Sequence, residues 1–169
     1  MSQKIDYPYI PENRQMEYVP EDNVFMKEAQ KACLELSTDK NHPNGAVLVK
    51  DGQIIARGAN QSALKNEKLI QLHKNGFCIR RVLGIPSGQR YWLCVGCASS
   101  SNHSEAMVIK NAKKNKQNTT NADLYFWGHW WCCQPCWQEM EKAEIANVYL
   151  LENSHILFNK THPDNVVGK

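Results

Sequence analysis

The sequence contains no apolar run of the ~18 residues that a membrane-spanning helix requires. It also has no secretory-signal pattern at its N-terminus, so we expect a cytoplasmic protein that does not enter a membrane. An excess of one charge is missing too, because 20 basic and 17 acidic residues leave a net charge of +3. This balance gives no reason to expect a nucleic-acid partner, although it does not oppose a small phosphorylated ligand.

Cysteine, in contrast, is abundant, with seven residues in a chain of 169. The odd number and the Cys-x-x-Cys spacings favour reduced thiols and metal ligation over disulfides, which agrees with a cytoplasmic location. The composition, 42% hydrophobic and 22% charged, is that of an ordinary globular protein. The length suits one domain with a sizeable core.

Residues 102–136 carry a pattern of metal ligands. His103 is followed two positions later by Glu105, and a Cys-x-x-Cys pair, Cys133 and Cys136, comes further along the chain. We predict that the histidine and the two cysteines bind zinc. Three protein ligands leave a fourth tetrahedral position open for water, with the glutamate beside the metal but not bound to it.

The local patterns around these residues support one shared site. Residues 107–114 have a helical pattern, and residues 123–127 are apolar and aromatic, as expected for a strand. The two cysteines begin the next helix, where positions i and i+3 lie on one face and the helix dipole favours thiolates. We therefore expect two helix N-termini to face each other across the metal.

The whole chain is predicted to form a single α/β domain. It comprises an extended N-terminal arm (1–20), the domain itself (21–160) and a tail (161–169). Its predicted elements are a helix (21–37), a hairpin (46–56), an insertion (61–101) and the alternating helices and strands that end at 151. The strand–helix–strand order predicts parallel pairing, whereas the hairpin around Asp51-Gly52 makes the sheet mixed.

The His-x-Glu and Cys-x-x-Cys pair resembles the zinc-dependent cytidine deaminase superfamily. A second stretch, CIRRVLGIPSG at 78–88 followed by Leu-Cys at 93–94, is similar to deoxycytidylate deaminases. The resemblance covers residues 22–152. It implies a three-layer α/β/α cytidine-deaminase-like fold with a mixed central sheet, and a homo-oligomer.

The resemblance also implies a function: hydrolytic deamination of a cytosine-type nucleotide, with dCMP converted to dUMP and ammonia released. Zn²⁺ would be the cofactor, a small nucleotide or nucleoside the binding partner, and Glu105 the group that moves protons. Asn60 stands where the family has an asparagine that contacts the substrate sugar, although it could simply make a turn. Ser104 and Trp131 are the other candidate substrate contacts, and Trp131 could equally pack in the core.

Three departures from the family pattern leave the identity of the base open. Cys132 stands where the family usually has proline, and Ser104 where it usually has alanine. The turn at 128–131 is longer and more aromatic than in the family. Another aminated base or a free nucleoside is therefore an alternative substrate.

A second metal site is predicted in the insertion, where Cys78, Cys94, Cys97 and His73 could form a closed structural zinc site. Some deoxycytidylate deaminases carry a second zinc in this region, and a metal would stabilise so long an insertion. The alternative is that two of these cysteines are unpaired and buried and that the third is exposed. Three arginines of the same insertion could bind a substrate phosphate through their guanidinium groups: Arg80, Arg81 and Arg90.

Three further interpretations remain open. Asn102 and Glu105 could form a helix capping box without any catalytic role. Cys133 and Cys136, which follow a tryptophan-containing turn and flank Pro135, could be the redox pair of a thiol–disulfide oxidoreductase. The chain could also be a non-catalytic zinc module that has kept the fold.

Overall fold

The computed structural model describes residues 5–39, 41–86 and 88–167. Ser87 of the predicted motif, and the ends of the predicted arm and tail at 1–4 and 168–169, lie outside the described residues. The strands and α-helices are, in chain order, β1 Glu17–Val19, α1 Val24–Leu36, β2 Gly45–Lys50, β3 Gln53–Ala59, α2 Glu67–Lys74, α3 Ile79–Val82, α4 Ser104–Lys114, β4 Asp123–Trp127, α5 Gln134–Lys142, β5 Val148–Leu151 and α6 Ser154–Leu157.

The five strands form one mixed sheet in the order β1-β5-β4-β2-β3. Strands β4 and β5 are parallel, as predicted for a strand–helix–strand unit, whereas β2 runs antiparallel to both β3 and β4. The hairpin turns at Asp51 and Gly52, whose φ angles of 51° and 74° are the left-handed values that a tight two-residue turn needs. The predicted hairpin and mixed sheet are therefore confirmed.

Alternation along the strands divides the core between two faces of the sheet. Val47 and Val49 of β2 pack with Met26 of α1 on one face. Leu48, between them in sequence, packs on the other face with residues of α4 and α5, including Trp137. Successive side chains of a strand point to opposite faces, so the sheet lies between two helix layers. This is the predicted three-layer α/β/α arrangement.

Two glycines let the helices approach the hairpin closely. A Cβ atom on Gly45 would lie 2.3 Å from the backbone nitrogen of Cys33 in α1. A Cβ atom on Gly58 would lie 2.5 Å from the backbone nitrogen of Val108 in α4. Backbone atoms cannot move aside as a flexible side chain can, so both positions require glycine. The close approach fixes where α4, and hence its N-terminus, sits against the sheet.

We predicted that the N-terminal arm contains no strand, and this prediction was wrong for its last residues. Residues Glu17–Val19 form β1, which pairs in parallel with β5 at the edge of the sheet. Three residues are too few for alternation to reveal a strand, and the pairing partner lies far away in sequence. The arm also contacts the domain at two described residues before β1: Arg14 lies over the ring of Trp137, and Tyr7 stacks on Trp130.

The insertion, 61–101, contains α2, α3 and two short 3₁₀ turns, Tyr91–Leu93 and Ser100–Asn102. After β5, residues Ser154–Leu157 form the short helix α6. In the described part of the chain, no helix has the length and apolar character needed to cross a bilayer.

Candidate active site

The first group of predicted metal ligands comes together at two helix N-termini. His103 is the N-cap residue of α4, Cys133 is the N-cap residue of α5, and Cys136 lies in the first turn of α5. The Nδ1 atom of His103 is 3.5 Å from the Sγ atom of Cys133 and 3.4 Å from that of Cys136, and the two sulfurs are 3.3 Å apart. One imidazole nitrogen and two thiols so close together fit the ligand set of a catalytic zinc.

Glu105 lies in the first turn of α4, next to this group, and is only 2% exposed. Burial raises the pKa of its carboxyl group, while the neighbouring His103 opposes the increase. The thiol of Cys132 also hydrogen-bonds to this carboxylate. The N-cap residue of α4 is His103 and not Asn102, so the capping-box interpretation was wrong. A buried carboxyl group with a raised pKa suits the uptake and return of a proton.

The two thiols of this group differ in acidity. The hydrogen bond shared with Cys136, followed by contact with His103, outweighs burial and lowers the pKa of Cys133 to about 5. The same hydrogen bond, together with burial, raises the pKa of Cys136 well above its usual value. Burial lowers the pKa of His103, but the hydrogen bond to Cys133 and the charge of Glu105 outweigh it, so that its pKa is raised.

A cavity of about 630 Å³ has this group in its wall, with His103, Glu105 and Cys133 all lining it. This volume is within the range of about 300–1,000 Å³ that is usual for small-molecule sites. Aromatic rings make up much of the remaining wall near the metal ligands: Phe126, His129, Trp130 and Trp131. The arrangement can hold a flat, partly apolar molecule beside a metal and a proton carrier.

The second group of predicted ligands also converges. The ligand atoms of His73, Cys78, Cys94 and Cys97 all lie within 4.8 Å of one another. The sulfur of Cys97 is 3.6 Å from that of Cys78 and 3.6 Å from Nε2 of His73. Three thiols and one imidazole match the four ligands of a closed structural zinc site. Both groups could therefore hold zinc.

A family model, the cytidine and deoxycytidylate deaminase zinc-binding region, matches residues 19–152. The chain belongs to this family. It therefore carries the zinc-binding region of the cytidine deaminase superfamily, as the two metal half-motifs predicted. No curated protein sequence matches the chain.

The solved structures that are similar to this chain belong to enzymes with different activities. Guanine deaminase from Bacillus subtilis is 23% identical over 75% of this chain and 60% of its own, with a TM-score of 0.42. The dCMP deaminase of cyanophage S-TIM5, in complex with dCMP and dUMP, is 20% identical over 75% of this chain and 76% of its own, with a TM-score of 0.47. A third similar structure is the diaminohydroxyphosphoribosylaminopyrimidine deaminase/5-amino-6-(5-phosphoribosylamino)uracil reductase of Thermotoga maritima. It is 23% identical over 75% of this chain, with a TM-score of 0.41. This chain spans only 28% of that protein.

The three predicted substrate contacts lie in different places. Trp131 lines the cavity. Asn60 lines it as well, but its side chain is also used to hold neighbouring loops, since Nδ2 donates to the His42 carbonyl at 2.9 Å and Oδ1 accepts from the Asn44 N–H at 3.0 Å. Ser104 is fully buried, and its hydroxyl donates to Oδ1 of Asn44 at 2.7 Å. The serine therefore supports the wall of the cavity from behind.

The insertion contacts the first metal group through Tyr91, which also contacts Arg80. Arg80 donates to the sulfur of Cys97 at 3.3 Å and to two backbone carbonyls in 86–89, and its guanidinium lies 4.2 Å from the centre of the Tyr91 ring. Tyr91 in turn packs edge-to-face against His103, with the ring centres 4.9 Å apart. The two metal groups are thus connected by a short series of side-chain contacts.

Several residues of the site were not predicted from the sequence. His42 stacks on His129 with ring centres 4.9 Å apart. Burial lowers the pKa of both histidines, to about 4 for His42, so both rings are neutral at pH 7. Lys160, from the predicted end of the domain, also lines the cavity. Neither His42 nor Lys160 lies in a motif, and only the fold brings them to the site.

Proposed function

We propose that the protein is a hydrolytic deaminase of a cytosine-type nucleotide that converts dCMP to dUMP and releases ammonia. The observation that carries this proposal is the convergence of His103, Cys133 and Cys136, with His103 and Cys133 lining the same cavity as Glu105. The choice of cytosine rests on the resemblance of residues 78–94 to deoxycytidylate deaminases. Another aminated base, or a free nucleoside, would use the same chemistry and is the first alternative.

His103 Nδ1 and the sulfurs of Cys133 and Cys136 would hold the zinc ion. Zinc with an open fourth position lowers the pKa of a water molecule towards neutrality, which supplies the nucleophile. The carboxylate of Glu105 takes up the proton of this water and passes it to the ring nitrogen next to the reacting carbon. A new carbon–oxygen bond would form, Glu105 would take the remaining proton of the added hydroxyl and deliver it to the amino group, and the carbon–nitrogen bond would break to release ammonia.

The aromatic wall would hold the base during these steps. Trp131 and His129 pack against each other with ring centres 5.7 Å apart, and both line the cavity. Because burial lowers the pKa of His129 well below its usual value, this ring is neutral and can lie against an uncharged base without cost from an unpaired charge. Asn60, at the same cavity wall, is the candidate contact for the sugar.

The proposal is tested by measuring zinc per chain and ammonia release from dCMP, cytidylate, cytidine, deoxycytidine, guanine and adenosine. We expect bound zinc and ammonia from dCMP. Ammonia from a different compound alone would reassign the substrate, and bound zinc without ammonia from any of them would favour a non-catalytic zinc module. Reduction of insulin by a protein without zinc would instead favour the thiol–disulfide interpretation of Cys133 and Cys136.

A second zinc ion bound by His73, Cys78, Cys94 and Cys97 is part of the same proposal. We expect two zinc ions per wild-type chain and one in Cys97→Ser, because the loss of one of four ligands opens a closed site. The measurement is elemental analysis of protein dialysed free of unbound metal. The matched control is Cys33→Ser, since Cys33 is buried in α1 and belongs to neither group.

Two results would contradict the second site. One zinc ion in the wild-type chain would leave these four residues without a metal. Two ions in both Cys97→Ser and the control would show that Cys97 is not a ligand. The homo-oligomer and the cytoplasmic location stay predictions, and light scattering coupled to gel filtration tests the first of them.

A further inference from the structure

Two positively charged side chains lie at the wall of the active-site cavity on the side formed by the insertion and the C-terminal segment. Arg81 comes from α3, and Lys160 follows α6. Both are exposed, and both line the same cavity as His103 and Glu105. They come from segments about eighty positions apart in the sequence, so the fold alone places them on one cavity.

A single residue, Asn41, holds both side chains in place. Nη2 of Arg81 donates to Oδ1 of Asn41 at 2.6 Å, and Nζ of Lys160 donates to the backbone carbonyl of the same asparagine at 3.1 Å. These bonds use one donor of each cation. Arg81 and Lys160 keep further N–H donors for a ligand, because a guanidinium carries five and an ammonium three.

The two cations are not neutralised by ion pairs. Over 5–39, 41–86 and 88–167, the structure contains no salt bridge that involves Arg81 or Lys160. The carboxylate of Asp39 also lines the cavity, but its Oδ1 atom accepts the backbone N–H groups of Asn41 and His42. Loss of surrounding water and then the charge of Arg81 lower the pKa of Lys160, while Asp39 opposes this. Neighbouring like charges are unfavourable without a ligand and favourable around an anion.

The other two arginines of the insertion are not equivalent to Arg81. Arg80 is buried, and its guanidinium already bonds to two carbonyls and to the sulfur of Cys97 and stacks on Tyr91. Its donors therefore stabilise the insertion. Arg90 is exposed and precedes the 3₁₀ turn at Tyr91–Leu93, outside the cavity lining. Of the three arginines in the sequence pattern, Arg81 alone combines free donors with a place on the cavity wall.

We propose that Arg81 and Lys160, held by Asn41, form a subsite for a phosphate monoester, so that the substrate is a nucleoside 5′-monophosphate and not a free nucleoside or base. This inference rests on the proposed deaminase function and specifies its substrate class. The reacting base would lie beside Glu105 in this cavity. The same cavity wall presents a guanidinium and an ammonium, the charged groups that bind phosphate oxygens in proteins.

The first test compares kcat/KM for dCMP with kcat/KM for deoxycytidine. We divide the value for dCMP by the value for deoxycytidine. This ratio should fall about tenfold in Arg81→Met and about tenfold in Lys160→Met, because each variant loses charge-assisted hydrogen bonds to the phosphate. The value for deoxycytidine should stay the same. Arg90→Met is the matched control, since it removes an arginine of the same insertion, and its ratio should equal that of the wild type.

The second test does not depend on turnover. Titration of the zinc-loaded wild-type protein with inorganic phosphate should shift the backbone amide NMR signals of Asn41, Arg81 and Lys160, and these shifts should be lost in Arg81→Met. If Arg81→Met and Lys160→Met release ammonia with the wild-type ratio of kcat/KM for dCMP to kcat/KM for deoxycytidine, the phosphate subsite is overturned and the deaminase function stands. Phosphate-dependent shifts in a protein that deaminates neither compound would retain the subsite and reject the proposed function. The absence of any shift would overturn the subsite in either case.

Discussion

Replacing Glu105 by glutamine should reduce kcat by about 10²–10⁴-fold, the usual contribution of a positioned proton carrier, while zinc content stays at the wild-type value. Glutamine has nearly the same size and keeps an oxygen that can accept the hydrogen bond of Cys132. It cannot take up a proton and return it. Initial rates of ammonia release, measured together with elemental analysis for zinc, would separate the loss of proton transfer from the loss of metal.

The matched control for this variant is Glu139→Gln. Glu139 is an exposed residue of α5 that pairs with Lys142 at 2.9 Å, and exposed pairs of this kind contribute about 0–1 kcal/mol to stability. Its rate should therefore equal that of the wild type. A near-normal rate in Glu105→Gln would remove Glu105 from the proposed role. A loss of zinc in Glu105→Gln would show that the carboxylate supports the metal group and would leave proton transfer unexplained.

Replacing Trp137 by alanine should lower the free energy of unfolding by about 3–5 kcal/mol, which is typical when a large buried aromatic side chain is removed. Trp137 is 1% exposed and lies in the core layer between the sheet and helices α4 and α5. Its ring also packs beneath the guanidinium of Arg14, 5.3 Å from the ring centre. Small domains are stable by about 5–15 kcal/mol, so the variant would be only marginally folded.

Trp137→Phe is the control, since it keeps an aromatic ring at this position and removes the indole N–H group. Within the described part of the chain, the buried Nε1 atom of Trp137 has no hydrogen-bond partner, so phenylalanine loses no hydrogen bond. We expect a clearly smaller loss than for alanine in urea unfolding followed by circular dichroism with zinc present. Equal losses in the two variants would show that the indole N–H has a partner. A loss below 1 kcal/mol for alanine would contradict the packing described above.

The sequence predicted best those features that short-range patterns determine. The strand β4 has the predicted bounds, 123–127, because its apolar run ends at clear loop signals. The ligand groups were predicted because zinc needs particular side chains at particular spacings, and helix geometry then brings i and i+3 together. The tight turn at Asp51-Gly52 is local in the same sense, since two neighbouring residues adopt left-handed backbone angles.

Features that depend on long-range contacts were not predictable in this way. Ser104 was predicted to contact the substrate because it lies between His103 and Glu105, but its side chain is fully buried against Asn44 and Glu105 and does not line the cavity. Lys160 lies beyond the residues that match the family, and only the packing of the chain after β5 brings it to the cavity. Short-range patterns therefore located the metal-ligand groups, whereas the proposed substrate contacts outside these motifs required the fold.

The pairing of β1 with β5 has a consequence for how the chain can be handled. Strand β5, Val148–Leu151, has the apolar sequence VYLL, and β1 occupies the backbone hydrogen-bonding groups on one of its sides. A truncated chain that begins after β1, or a bulky N-terminal fusion that pulls the arm away, would expose these groups as an open edge. Open apolar edges pair with other chains. Such variants would self-associate into aggregates even though every residue of the metal centre is intact.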